Sequence, residues 1–274
     1  MKPVLQSHNA HPRDAHIVFQ EEGHKYTILT DPDSAYTSVT TWNHSHFTKF
    51  DPDAIIKTMM AGKNWTPKNK YWNMTPDEIK ALWDANGKSV SSKGTEMHFQ
   101  IECFMNNDTI HKGYTHEELL EQYAPQLEPP LEWIYFLEFV KNNPTLKPYR
   151  TEWLIYDDDI KLAGSIDMVY ETPNGDLLIY DWKRSKDITK TNPWDKSSIT
   201  ECISHLPDTN FWHYSLQLNT YKMILEKKYE KTVTGLFLVK LHPENKTRTF
   251  EILKVPFLET EMDELYAYRK SVIP

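Results

Sequence analysis

The sequence predicts an α/β protein: a central mixed sheet flanked by helices, with an N-terminal helical elaboration. Three observations carry this. Residues 50 to 143 repeat helix-start signals, residues 150 to 254 turn to strands and hairpins, and a long amphipathic segment stands between the strands. The expected organisation is one domain over residues 1–274, with 1–90 as hairpin and helical cap and 91–274 as the core.

Each element has its own signal. HIVFQEEGHKYTIL (16–29) alternates around Glu-Glu-Gly and reads as a hairpin. FDPDAIIKTMMAGK opens a helix with Asp51 as cap and Pro52 in the first turn. TPDEIKALWDANGK repeats that pattern at Thr75 and Pro76, with Asn86-Gly87 expected to stop it. SSKGTEMHFQIECFMN (91–106) reads as a third helix, with Cys103 expected on its buried face. THEELLEQY (115–123) opens on a capping box from Thr115 to Glu118. PPLEWIYFLEFVKNN (129–143) is a strongly apolar helix that stops before Pro144.

Strands follow in RTEWLIYDDD, KLAGSIDMVY, LLIYDWK and TVTGLFLVKLHPENKTRTFEILKV. FWHYSLQLNTYKMILEKKY (211–229) is the long helix among them, and LETEMDELYAYRKSV is the last. Residues 187–210 form a polar connection too long for simple joining, a length at which loops are often functional.

Composition bounds the chemistry. With 39% hydrophobic and 13% aromatic residues, including 9 Trp and 15 Tyr, 274 residues build a substantial core. Two cysteines, Cys103 and Cys202, exclude disulfide frameworks, zinc ribbons and four-cysteine iron–sulfur clusters within one chain. No stretch has the apolar length of a membrane span, and MKPVLQSHNAHPRD lacks the layout of a signal peptide. A soluble, intracellular setting, cytoplasm or nucleus, is the expectation. The net charge of −8 counts against a general nucleic-acid coat protein but leaves room for a local basic groove. No Walker loop, G-x-S-x-G or G-x-G-x-x-G occurs, and His8, His11, His16, His44 and His46 lack partner ligands at zinc spacing.

One stretch stands out. LLIYDWKRSK (177–186) is a strand apolar on both faces that nevertheless carries Asp181 and Lys183 on one side. Burying charge is expensive unless it is paired or bound to a metal. Upstream, AGSIDMVY carries one acid, Asp167, and Pro173-Asn174-Gly175 joins the two strands. A three-residue turn there sets Asp167 directly opposite Asp181, with Cβ atoms ~5 Å apart. Two buried carboxylates at that separation repel unless a cation sits between them or one holds a proton. Oxygen donors favour a hard cation such as Mg²⁺ or Mn²⁺, and a lysine beside it suits hydrolysis of a phosphodiester. The same spacing also suits a plain buried ion pair, Asp181–Lys183 or Asp167–Lys183, or a turn shifted by one residue that separates the acids.

G-S-I-D, a turn and L-I-Y-D-W-K together resemble the core of the PD-(D/E)XK nuclease superfamily, its RecB-like and phage lambda-type exonuclease branches most of all. GTEMHFQIE resembles the signature that carries a metal-ligating histidine in RecB-like nucleases, here His98. TEWLIY places Glu152 on the preceding strand, and SLQLNTYKMIL, with Gln217 and Tyr221, resembles the Q-x-x-x-Y helix. The iron–sulfur cysteines of some members are missing, and Ile166 replaces the proline before the first acid. The wording around DWKRSK and HYSLQLNTYK also resembles nucleases of large DNA viruses and phages.

The resemblance implies a restriction-endonuclease-like core and one or two Mg²⁺ or Mn²⁺ ions. Asp167, Asp181, His98 and the Trp182 carbonyl would be ligands, with Glu152 assisting a second metal and Glu102 orienting His98. Lys183 would position the water, and Gln217 and Tyr221 would hold the edge of the site. It implies an exonuclease acting on DNA ends, with an endonuclease or RNA-acting enzyme as alternatives. A DNA end-binding protein on a decayed nuclease fold is the non-enzymatic alternative. A recombination or single-strand-binding protein is a candidate partner. Arg184, Lys186 and Lys190 follow the strand where phosphates would pass, and GKNWTPKNKYWN offers Lys68, Lys70 and Trp72 as a grip on single-stranded DNA. The rings of that second segment serve equally as core of the helical cap.

Overall fold

The computed structural model describes residues 3–106 and 129–273, so the expected helix at 115–123 lies outside the described residues. Eight strands and seven α-helices are present among them: α1 Val4–His8, β1 Ile17–Gln20, β2 Lys25–Ile28, β3 Thr37–Ser38, α2 Val39–His44, α3 Pro52–Ala61, α4 Pro76–Met105, α5 Leu131–Asn142, β4 Lys147–Asp157, β5 Leu162–Glu171, β6 Leu177–Lys183, α6 Asn210–Lys228, β7 Val233–Lys240, β8 Glu251–Lys254 and α7 Glu259–Val272.

β1 and β2 form the expected hairpin, paired from Ile17↔Ile28 to Gln20↔Lys25. The other six strands make one mixed sheet in which β4 to β8 run in sequence order. The pairs β4–β5, β5–β6 and β7–β8 are antiparallel, whereas β6 and β7 are parallel, with α6 as the crossover between them. β3 joins β5 in parallel at Leu162 and Ala163, on the edge that β6 occupies farther along from Met168. Between them, residues 164–167 of β5 have no strand partner on that edge among the described residues. The sheet forks there.

Helices cover both faces. Ile179, Leu236 and Leu238 pack with Phe211, Leu216, Leu218 and Leu225 of α6, and with Met262 and Leu265 of α7. Tyr180, Trp182, Met168 and Tyr170 pack with Ile101, Phe104 and Met105 of α4, and with Trp133, Phe136 and Phe139 of α5. Alternation along β6 therefore sends Trp182 to the α4–α5 side and Asp181 to the α6 side.

Two sequence readings need correction. Asn86-Gly87 does not end a helix: α4 is continuous for 30 residues, capped by Thr75 in a capping box with Glu78. Continuing a helix through one exposed glycine costs about 1 kcal/mol, whereas starting a new one must overcome the nucleation penalty. Cys103 is exposed rather than packed. The buried face of α4 runs through Met97, Ile101, Phe104 and Met105, and residue 103 falls ~200° around the helix from Ile101.

Candidate metal centre

The turn between β5 and β6 fixes the register of the site. Gly175 N–H donates to the Thr172 carbonyl at 2.9 Å, with Pro173 second in the turn and Gly175 at φ 85°. That is a type I turn followed by a left-handed residue, the usual three-residue hairpin connection. The paired positions Met168↔Tyr180 to Glu171↔Leu177 follow from it. One step beyond the last pair, the same register sets Asp167 against Asp181, as the sequence suggested. The strands begin to part there, and the Trp182 N–H donates to Asp167 Oδ2 at 3.1 Å.

Glu152 reaches the same spot from β4. Thr151 pairs with Met168 and Trp153 with Ile166, so Glu152 lies level with Asp167. Its φ is 41°, left-handed for a residue that is not glycine. Such strain costs on the order of 1–3 kcal/mol and gathers at functional sites. Nothing in the sequence signals this twist; it comes from β4 being held along both halves while one residue is re-aimed. Ser165 Oγ donates to Glu152 Oε2 at 2.8 Å. Sequence reasoning missed this serine, although it lies within G-S-I-D.

His98 comes from α4. Its Nε2 lies 2.8 Å from the Trp182 carbonyl and its Nδ1 3.5 Å from Asp167 Oδ2. Ligand atoms of His98, Glu152 and Asp167 all lie within 4.8 Å of one another. Asp181 stands outside that trio. It is 2% exposed, its Oδ2 sits 2.6 Å from Lys183 Nζ, and neither oxygen has a hydrogen bond of good geometry.

Electrostatics follow from this crowding. Burial, then the Asp167 charge, pushes the Glu152 carboxyl up to about 7 despite the Ser165 hydroxyl. Burial also raises Asp181, against the pull of Lys183. Burial lowers Lys183, but Asp181 and Asp167 outweigh it and hold the ammonium above its usual range. Lys183 therefore remains a cation and acts as a donor.

These residues fit a hard divalent cation. Two converging carboxylates, an imidazole and a nearby buried carboxylate with unsatisfied oxygens form an oxygen-rich set whose mutual repulsion a cation would relieve. The Trp182 carbonyl already borders His98.

The remaining expected residues separate into groups. Gln217 Nε2 donates to Tyr221 Oη at 3.1 Å, and both are buried on α6. Tyr221 packs so closely on Gly164 that a Cβ there would lie 2.8 Å from its ring, which accounts for the glycine of G-S-I-D. Arg184 is paired with Glu132 and lines a cleft of about 350 Å³ with Met97, Gln100 and Trp133. Lys186 pairs with Glu244 on the surface, and Lys190 lies 4.6 Å above the Phe211 ring. Lys68 and Lys70 are exposed, while Trp72 is half-buried with its ring 5.7 Å from that of Trp65. That segment precedes α4, and His98 lies 22 residues past Pro76, about 33 Å along the helix.

No helix among the described residues is long and apolar enough to cross a membrane. A family model for the PD-(D/E)XK nuclease superfamily matches residues 94–272, taking in His98 and every strand from β4 to β8. No curated protein matches the chain.

Proposed function

Because the chain belongs to the PD-(D/E)XK nuclease superfamily, we propose that it is a metal-dependent exonuclease that hydrolyses phosphodiester bonds from DNA ends. The observation that carries the chemistry is the convergence of His98, Glu152 and Asp167 beside the buried, unsatisfied Asp181. Enzymes of this superfamily use divalent metals, typically Mg²⁺ or Mn²⁺, and a bound ion supplies Lewis acidity and lowers the pKa of water. Glu152, Asp167, Asp181, His98 and the Trp182 carbonyl would hold it here.

The chain's own residues do the rest. Lys183, kept protonated by Asp181 and Asp167, offers its N–H bonds to the attacking water and to the phosphate oxygens. Those donors lie where negative charge grows in the transition state, which is where they lower the barrier most. Glu152, with one oxygen held by Ser165, has the other free to face the ion. Gln217 and Tyr221 support β5 at Gly164 and keep Asp167 in place. The action on ends rests on the RecB-like pattern of His98 upstream and Gln217/Tyr221 downstream.

The test is incubation with linear DNA, closed-circular DNA and RNA, in Mg²⁺, in Mn²⁺ and with chelator, beside Asp181→Asn. Loss of the linear DNA while the circle survives is the expected result. Cleavage of the circle would make it an endonuclease, and preference for RNA would change the substrate. No metal-dependent cleavage of any substrate would overturn the enzymatic reading in favour of a DNA end-binding protein.

A further inference from the structure

The Lys183 ammonium has a second neighbour besides its carboxylate. Lys183 closes β6, where pairing with Lys240 of β7 and the Leu241 N–H on its carbonyl at 2.9 Å fix its backbone. The ammonium needs holding of its own, because a flexible four-carbon stem separates it from that backbone. Asp181 Oδ2 lies 2.6 Å away, without a hydrogen bond of good geometry. The other neighbour is an aromatic face: Nζ stands over the Tyr214 ring, 4.4 Å from its centroid. A ring attracts a cation at that distance.

Tyr214 is itself firmly placed. Positions 211, 214, 218, 221 and 225 recur at helical spacing along α6. Phe211, Leu218, Tyr221 and Leu225 are buried, and Tyr214 is the half-buried member of that stripe, packed against the same core. The chain that leaves Lys183 is tied to the first turn of the same helix. Asn210 Nδ2 donates to the Asp187 carbonyl at 2.6 Å and the Thr189 N–H to Asn210 Oδ1 at 3.0 Å. Trp212 Nε1 donates to the Lys190 carbonyl at 3.0 Å. The packing of α6 places the ring, and the tied segment 187–190 keeps that end of the helix beside the end of β6.

We propose that Tyr214 is a positioning residue for Lys183, its ring keeping the ammonium in the site for water and phosphate while Asp181 serves the ion. The proposal rests on the nuclease reading above. Asp181 alone is a poor anchor for this purpose. It is among the residues that would hold a cation, and a carboxylate that shares its charge with a cation attracts an ammonium less. The Tyr214 face has no net charge to be neutralised, so its hold on Lys183 persists. Stacking of a DNA base fits that face less well, because Lys183 already covers it.

The experiment compares Tyr214→Leu, which removes the ring, with Tyr214→Phe, which keeps it, in the full-length chain. In steady-state cleavage of linear DNA with Mg²⁺, Tyr214→Leu should lower kcat roughly tenfold, the worth of a partly desolvated cation–π contact, with KM unchanged. Tyr214→Phe should restore kcat. A second measurement needs no metal: the NMR signal of the Lys183 ε-methylene in protein labelled with ¹³C-lysine, assigned by its loss in Lys183→Arg. The ring should hold that signal upfield of an ordinary lysine in the wild type and in Tyr214→Phe, and added Mg²⁺ should leave it there. Tyr214→Leu should return it to the ordinary position. Equal kcat in Tyr214→Leu and the wild type, or equal losses in both variants, overturns the positioning role, and cleavage by the wild type then leaves the nuclease reading intact. If Tyr214→Leu does not fold, the signal decides: an ordinary position in the wild type, or a return to it on adding Mg²⁺, overturns the proposal, and an upfield position kept by Tyr214→Phe supports it. A wild type that cleaves nothing overturns the nuclease reading and the positioning role with it.

Discussion

Arg150 and Glu152 stand two residues apart on β4, yet their surroundings are built in opposite ways. Arg150, 2% exposed, donates from Nη1 to Asp14 Oδ2 at 2.7 Å and to the Asn9 carbonyl at 2.9 Å. Asp14 receives two further bonds, from Trp153 Nε1 at 2.9 Å and from the His11 N–H at 2.9 Å. Opposite charges meet, and both oxygens of the acid are satisfied. Around Glu152 three acids crowd together, the backbone is strained, and Asp181, although its Oδ2 lies 2.6 Å from Lys183 Nζ, has no hydrogen bond of good geometry. A buried ion pair whose acid completes its hydrogen bonds holds a structure together, even with Arg150 Nε left without a partner. A cluster that leaves them incomplete stores unfavourable energy that a ligand can release. The first site closes the N-terminal segment over β4, and the second has the make-up of a site that could hold a cation.

The sharpest way to break this contrast is to neutralise each site and compare. Asp181→Asn should lower metal-dependent cleavage by at least ~10³-fold, or about 4 kcal/mol of barrier, in a steady-state assay. Its melting temperature should move far less than its activity. Asp14→Ala should do the reverse. It strands the Arg150 guanidinium in the interior and should cost about 3–5 kcal/mol in denaturant unfolding, while the folded fraction keeps cleaving. If Asp181→Asn destabilises as much as Asp14→Ala, the two sites are of one kind.

Acidity gives a smaller effect with a definite sign. Folding raises the Glu152 carboxyl to about 7 from an ordinary carboxylate value. Between those values the folded chain binds more protons than the unfolded one. The stability that Glu152 contributes is therefore full below about pH 4 and is lost as pH rises through 7. For the metal-free protein the loss should be on the order of 3 kcal/mol, seen as a falling melting temperature. Glu152→Gln should flatten that profile. Mg²⁺, which prefers the ionised carboxylate, should raise the melting temperature more at pH 8 than at pH 5, and chelator should reverse the gain. Equal Mg²⁺ stabilisation at both pH values would separate Glu152 from the metal.

The smallest effect tests α4. Gly87 has open space around the position of a Cβ and lies inside the helix. Gly87→Ala should stabilise by about 0.5–1 kcal/mol with activity unchanged. Destabilisation would mean that the chain breaks at Asn86-Gly87 after all.

Much of the site was legible in the chain. The pairing of Asp167 with Asp181 followed from counting across Pro173-Asn174-Gly175, because a hairpin's register depends on its turn. His98 was legible through its pattern on a helix, and its approach to Trp182 and Asp167 agrees with that. Glu152 was visible as an acid on the preceding strand, but its left-handed backbone and its Ser165 partner were not.

By itself the sequence determined whatever depends on near neighbours: alternation in the strands, the helix caps at Asp51 and Thr75, the register of the β5–β6 hairpin and the burial of Asp181 among apolar residues. Tertiary structure decided whatever depends on distant segments meeting. It ran α4 unbroken through Gly87, set β3 and β6 on one edge of β5, and brought Glu152, Asp167 and His98 within 4.8 Å. The physical reason is range. Hydrogen bonds and turn geometry act over a few residues along the chain, whereas repulsion between carboxylates exists only after packing has forced them together.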